Sequence, residues 1–540
     1  MIKQDTISID TCLFLSVFRN SFIKNRIRNI RFNDSVFLFT LIELNSNNNH
    51  VYLSKFTNND KEEYNICIKV IIKDTKEFRQ YLASPHREII DHLILRSYVD
   101  VGRPPPSLAP NQEIEDEQEL NQNKFNQAPS PISYDLDLFH CGLKRLEFIY
   151  HGNVGKWSGT LPDTLLELKI TSFHYSQFKS EFLDHLVSHL PPNLTRLSLP
   201  PSYCISVKCT APESLTDLSY ILPKADCLHE LVLPSNRVYK DLIYMVNDRQ
   251  DYEWLAANPW VTTMFLLNLK FEPNRIPDHI LSIKMGPPQL TSHFALDKSM
   301  LPSNLKHLIW NAMDVKMNAH TFPPSLQSLS ISKYDHPLES GVFHNALQTL
   351  SINSGCESIL GIGVIPPNLT HLCLNRYNQP LQAKVLPRGL KKLVLPNFNN
   401  ILKPNSLPSS LTYLELKAYT GSFESVGPLN HLTHLCINTI DQSISTLLAN
   451  VYFIQIVFSR ILPLATLKHN TSIREIQCIA TRNIDLPVEF LPPSTRKLLT
   501  RNINITEKGS IPHGCIILDI DLEFDESLAP GSVTNIKHSY

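Results

Sequence analysis

The sequence is short of glycine: 16 glycines stand against 38 prolines in 540 residues, the reverse of ordinary usage. Its nearest approach to a phosphate-binding loop is Gly361-Ile362-Gly363, which lacks the third glycine, the lysine and the strand-then-helix setting, and reads as a corner of the chain. Charge of one sign is missing as well. Lys+Arg 50 against Asp+Glu 51 gives a formal charge of -1, without the basic excess of a nucleic-acid binder. The 11 cysteines, from Cys12 to Cys515, are odd in number and include no CxxC pair, which excludes a disulfide framework and points to free thiols in a reducing compartment. Apolar runs such as VYFIQIVF at 451–458 fall far short of the about 20 residues of a membrane span. The polar start MIKQDTISID lacks the charged-then-apolar order of a signal peptide. A cytoplasmic protein with no membrane span is expected. Phrases of the GxSxG, HExxH and HRD kinds are also absent, so no catalytic residue and no cofactor are assigned.

What the chain has is one phrase repeated. It reads LPSNLKHLIW from 301, FPPSLQSLSI from 322, FHNALQTLSI from 343, IPPNLTHLCL from 365, LPRGLKKLVL from 386, LPSSLTYLEL from 407 and PLNHLTHLCI from 428. Successive starts lie 21 or 22 residues apart. Counting the first residue of each phrase as zero, apolar residues recur at offsets +4, +7 and +9. In LPSSLTYLEL, Leu414 and Leu416 are two apart, so in an extended segment they share one side while Tyr413 and Glu415 share the other. No single turn can bury its leucines; stacked turns can. A period of 21 to 22 residues around L-x-x-L-x-L fits a leucine-rich-repeat-like parallel-β solenoid, α/β or mainly β, with one short strand per turn. The second-position proline, as in Leu407-Pro408, has no N–H to lose and extends the residue before it, which suits the corner leading into a strand.

Weaker copies extend the array. They include Leu143, Leu146 and Phe148 near its start, Ile280 and Ile283, then Phe453, Ile456 and Phe458, and finally IPHGCIILDI from 511. The expected organisation is a small N-terminal α/β unit at 1–100, a Pro-rich acidic linker at 101–138, the solenoid at 139–520 and a polar tail at 521–540. Within the solenoid, 234–300 reads as an irregular insertion and 301–437 holds the clearest repeats. The N-terminal unit opens with a basic amphipathic helix over 10–32, continues through strand-like FLFTLIEL around 37–44 and ICIKVII at 66–72, and adds a helix from about Lys76 to Arg96.

Between the leucine phrases, Tyr377, Asn378, Gln379, Pro380 and Leu381 precede LPRGL, and Phe398, Asn399, Asn400 and Ile401 precede LPSSL. With Tyr334 to Leu338 as a looser third copy, the chain resembles the FNIP repeat family, whose unit sets a Phe-Asn-Ile-Pro-like phrase before L-P-x-S-L-x-x-L-x-L. FRNSFIKNRI at 18–27 also looks like a short element found ahead of such arrays. The resemblance implies a leucine-rich-repeat-like solenoid with a role in protein interactions.

Function is therefore sought on the outward strand positions. At +6 these are His307, Ser328, Thr349, His371, Lys392, Tyr413 and His434; at +8 they include Cys373, Glu415 and Cys436. His371 with Cys373 and His434 with Cys436 invite a metal reading. The two pairs are three turns apart, about 14 Å at the spacing of paired strands, against ligand bonds of about 2.0 to 2.3 Å, so no metal is expected. The candidate partner-binding face is His307, His371, Lys392, Tyr413, Glu415 and His434, and the expected activity is a non-enzymatic scaffold for a protein partner, with no nucleic acid. An alternative is an adaptor that delivers partners to an enzyme complex such as a ubiquitin ligase through the N-terminal unit. A third reading places an enzyme site in the 234–300 insertion. Lys392 and Tyr413, as outward residues, are expected to matter little for stability.

Overall fold

The computed structural model describes residues 25–26, 28–30, 32–45, 49–96, 133–150, 154, 156–172, 177–201, 203–222, 230–234, 237–266, 275–285, 297–313 and 315–538. The chain forms two compact units, Met1–Met245 and Val246–Tyr540, and each is a stack of parallel strands. In the first, β1 (Val36–Thr40), β2 (Cys67–Ile72), β3 (His92–Arg96), β4 (Arg145–Tyr150), β5 (Glu167–Ser172), β6 (Arg196–Ser198), β7 (Asp217–Leu222) and β8 (Tyr239–Val246) pair in parallel in chain order.

The second unit continues the numbering with β9 (Val261–Leu266), β10 (Ser282–Met285), β11 (His307–Met313), β12 (Ser328–Tyr334) and β13 (Thr349–Gly355). Then come β14 (His371–Leu374), β15 (Lys392–Val394), β16 (Tyr413–Leu416), β17 (His434–Ile437) and β18 (Phe453–Phe458). It ends with β19 (Glu475–Asp485), β20 (Lys497–Asn504), β21 (Ile517–Ile520) and β22 (Asn535–His538). From β10 onward each of these too pairs in parallel with the strand before. The fold is a parallel-β solenoid. No helix among the described residues is long and apolar enough to cross a membrane.

The repeated phrase builds one turn and one strand. Leu411 N–H donates to the Pro408 carbonyl, and the same closure recurs at Leu305 to Pro302, Leu369 to Pro366 and Leu390 to Pro387. Proline serves there because the turn uses only its carbonyl. The strand that follows sends alternate side chains inward, and register stacks Leu308, Leu329, Leu350, Leu372, Leu393, Leu414 and Leu435 on one another. All seven are at most 1% exposed. Two residues ahead of the phrase the backbone turns left-handed, at Gly341, Gly363, Lys384, Asn405, Glu489 and Gly509. Gly363, with φ 83°, is thus a corner glycine, where a side chain costs conformational energy.

Side chains stitch each turn to the one before. At offset +3, Ser214, Ser325, Ser410 and Ser494 donate to the carbonyls of Leu194, Leu305, Leu390 and Ile473 in the preceding turn. At +5, Thr216, Thr370, Thr412 and Thr433 do likewise to Thr195, Gln348, Lys391 and Thr412. In the FNIP-like segment the aromatic is buried, with Phe398 stacked on Tyr419 at 6.0 Å. Its asparagine bridges turns: Asn378 accepts from Asn399 N–H, and Asn399 from Thr420 N–H. Ser494 is 8% exposed and its hydroxyl lies 2.7 Å from the Ile473 carbonyl. Ser494→Ala should cost about 1 kcal/mol, whereas exposed Ser409→Ala should change stability by less than about 0.5 kcal/mol. Paired urea titrations check the difference.

Several elements differ from the sequence reading. The helix expected from Lys76 to Arg96 is α1 (Thr75–Ala83) followed by strand β3. Pro85 cannot continue a helix, and Ile90, Leu93 and Leu95 repeat the L-x-x-L-x-L spacing with all three fully buried. Consequently β1 to β3 belong to the sheet that β4 continues, where a separate α/β unit was expected. FLFTLIEL divides into β1 and a short helix, Leu41–Asn45. The helix expected over 10–32 lies outside the described residues except for 25–26, 28–30 and 32, of which 25–26 and 28–30 are helical. The linker lies outside them except for 133–138, which include the short strand Tyr134–Asp135. Where 234–300 reads as an insertion, β9 and β10 keep the ladder, with Met264 opposite Ile283 and Ile283 opposite Leu308. In β18 the inward residues are Ile454, Ile456 and Phe458, and Phe453 faces the other way. The polar tail carries β22, since Val533 and Ile536 occupy the +4 and +7 positions after Pro530.

Candidate functional site

Register places the +6 residues in one unbroken row. His307 pairs with Ser328, Ser328 with Thr349, Thr349 with His371, His371 with Lys392, Lys392 with Tyr413 and Tyr413 with His434. His307 and His371 are exposed, and Lys392, Tyr413 and His434 are half-buried. The +8 row retreats from solvent at the same place, with Val394, Glu415 and Cys436 each 9% exposed. Glu415 was expected on the exposed face and is buried instead.

A local cluster accounts for that burial. The Tyr413 hydroxyl donates to Glu415 Oε2 at 2.7 Å, and Lys417 Nζ meets Oε1 at 2.8 Å. The Tyr413 ring is sandwiched along the row. Lys392 Nζ lies 4.4 Å from its centroid, and His434 stacks on it from the next strand at 5.7 Å and 27°. Phe453 then meets His434 edge-on at 6.4 Å. The outward residues of four successive strands are therefore in contact, which fixes rotamers that would otherwise be free. Sequence reasoning found Lys392, Tyr413, Glu415 and His434 but missed Phe453, assigned inward, and Lys417, which follows the strand.

The electrostatics follow from these contacts. Burial pushes the Glu415 carboxyl up, but the hydrogen bonds from Lys417 and Tyr413 outweigh it and hold it below the ordinary glutamate range. Burial and donation to Glu415 push the Tyr413 phenol up. A carboxylate with a lowered folded pKa contributes stability that is present above its unfolded value of about 4.3 and is lost as pH falls through the folded value. Glu415→Gln should therefore flatten the loss of stability below about pH 4.3, measured as urea midpoint against pH.

Among the described residues no group of three or more His, Cys, Asp or Glu is placed to hold a metal ion. The nine described cysteines are free. Burial pushes the thiols of Cys356 and Cys478 up to about 12, which leaves them unreactive near neutral pH.

The architecture and its uncommitted face define a repeat protein of leucine-rich-repeat-like fold. Where the repeat is clearest, residues 377–418 match the sequence model of the FNIP Repeat. That match covers β15 and β16, and with them Lys392, Tyr413 and Glu415. No curated protein sequence matches the chain significantly. Among solved structures, CroV588, described as a novel circular LRR protein structure, aligns at 17% identity over 86% of this chain and 68% of its own, with a TM-score of 0.38. YopM from Yersinia enterocolitica WA-314 aligns at 18% identity over 74% of this chain and 87% of its own, with a TM-score of 0.31.

Proposed function

We propose that this protein is a non-enzymatic scaffold for protein–protein interaction, and that the strand face of its second unit is the binding surface. The observation that carries the reading is the contact series Lys392, Tyr413, His434 and Phe453 across β15 to β18. Its side chains are held in place by one another, so a partner meets a surface already ordered, and the ordering cost of binding falls. Aromatic and basic groups of this kind supply a large share of interface energy. The FNIP Repeat match and the leucine-rich-repeat-like fold are in keeping with such a role. Free thiols at all nine described cysteines suit a reducing compartment, and the cytoplasm is the compartment proposed.

A photo-crosslinking residue placed at Ser351, on the strand face, should capture a partner in cells. The same residue at Ile401, which is 76% exposed and lies outside the strands, should not. Equal capture at both positions, or capture at Ile401 alone, rejects the strand face as the binding surface.

A further inference from the structure

The strand face has a charge pattern that the near-neutral chain as a whole conceals. Across the nine strands β10 to β18, Glu415 is the only carboxylate, and Lys417 and Tyr413 engage both its oxygens. Apart from Lys333 on β12, which pairs with Asp335 at 2.9 Å, the cations gather at two poles. Lys284, Lys306 and His307 lie on or beside β10 and β11; His371, Lys391 and Lys392 lie on or beside β14 and β15. None of these four lysines has an ion-pair partner among the described residues. Burial, and after it the charges of Lys306 and Lys284, push the His307 imidazole below its ordinary range. Between the poles the row carries only small uncharged groups, Ser328, Ser330, Thr349 and Ser351.

Resting on the reading of this face as a binding surface, we propose that its partner is an acidic peptide segment in extended conformation, crossing the strands with one carboxylate cluster at each pole. Lys284 and Lys306 take the first cluster, Lys391 and Lys392 the second. The poles are four to five strands apart, about 19 to 24 Å, which about six or seven extended residues span. A single-stranded nucleic acid is the other polyanion such lysines could hold. It needs aromatic faces free for bases to stack on, and here Tyr413 is covered by Lys392 from one neighbouring strand and His434 from the other.

The test is fluorescence anisotropy on the full chain. The probes are a labelled peptide with two triple-glutamate clusters about seven residues apart, the same peptide with glutamine for glutamate, one with the clusters adjacent, and an oligothymidylate. Lys306 and Lys391 are exposed and precede their strands, so Lys306→Glu with Lys391→Glu leaves the packed core untouched, and circular dichroism verifies that. The spaced glutamate peptide should bind best, the glutamine peptide should not bind, and the double variant should lose at least about tenfold in affinity. Raising salt to about 0.5 M should weaken binding as well. Equal binding of the glutamine peptide, indifference to the double variant, or tighter binding of the oligothymidylate overturns the inference. If crosslinks from Ser351 capture a partner whose contact segment is not acidic, the acidic-peptide inference falls while the interaction face stands.

Discussion

Replacing Leu414 by alanine is expected to lower the unfolding free energy of the second unit by about 2–5 kcal/mol. Leu414 is fully buried and packs in register between Leu393 on one side and Leu435 on the other. The deletion therefore removes contacts to two neighbours at once and leaves a gap that paired backbones on both sides cannot close. Urea denaturation followed by circular dichroism reads the loss. Lys392→Ala, on the outward row, should change stability by less than about 1 kcal/mol. Equal losses in the two variants would contradict the inward and outward assignment. Tyr413 no longer belongs with the silent positions, because its hydroxyl serves buried Glu415. Tyr413→Phe should cost about 1 kcal/mol.

The first unit should be most sensitive at Asp91. Lys61 Nζ sits 2.9 Å from Asp91 Oδ1, the two side chains are only 5% and 9% exposed, and Asp91 Oδ2 accepts the Ile68 N–H at 2.9 Å. Lys61 also donates to the Ile89 carbonyl at 2.8 Å, so the pair ties β2 to the approach to β3. Asp91→Ala leaves an ammonium buried without its counter-charge and should cost about 3–5 kcal/mol. Replacing both partners, with Lys61→Met and Asp91→Leu, should recover most of that loss. If the double variant is no more stable than Asp91→Ala alone, the uncompensated charge is not the cause. Two units allow two transitions, so unfolding should be followed by probes in each.

Much of this fold is legible in the sequence where leucine repeats at fixed spacing. Leu305, Leu308 and Trp310 or Leu411, Leu414 and Leu416 announce a strand by pattern alone. The signal fails where the pattern is carried by other residues. Ile90, Leu93 and Leu95 were hidden inside what read as a helix, because isoleucine and leucine suit either structure and Pro85 was the only stop signal. Val533 and Ile536 were hidden in a polar tail for want of a +9 hydrophobe, since His538 stands there. Phe453 was misassigned because VYFIQIVF offers apolar residues at both parities, and only pairing with β17 and β19 decides which side faces in. At the candidate site the row itself was predictable from alternation. The burial of Glu415 was not, because it depends on Lys417 and Tyr413 reaching it, and side-chain reach leaves no period in a sequence.

The serine bonds at +3 and the threonine bonds at +5 all point the same way, from each turn to its predecessor. That gives the array a grain. Excising one whole period between the poles, for instance the 22 residues from Phe343 to Val364, would hand Thr370 the Gln327 carbonyl in place of that of Gln348, and every bond further along would be kept. Removing half a period would misalign them all. Such a chain can lengthen or shorten by unequal recombination in whole steps, and each step slides one charged pole along the face relative to the other. The separation between the poles is thus a setting the gene can change by copying a unit, without redesigning a single contact.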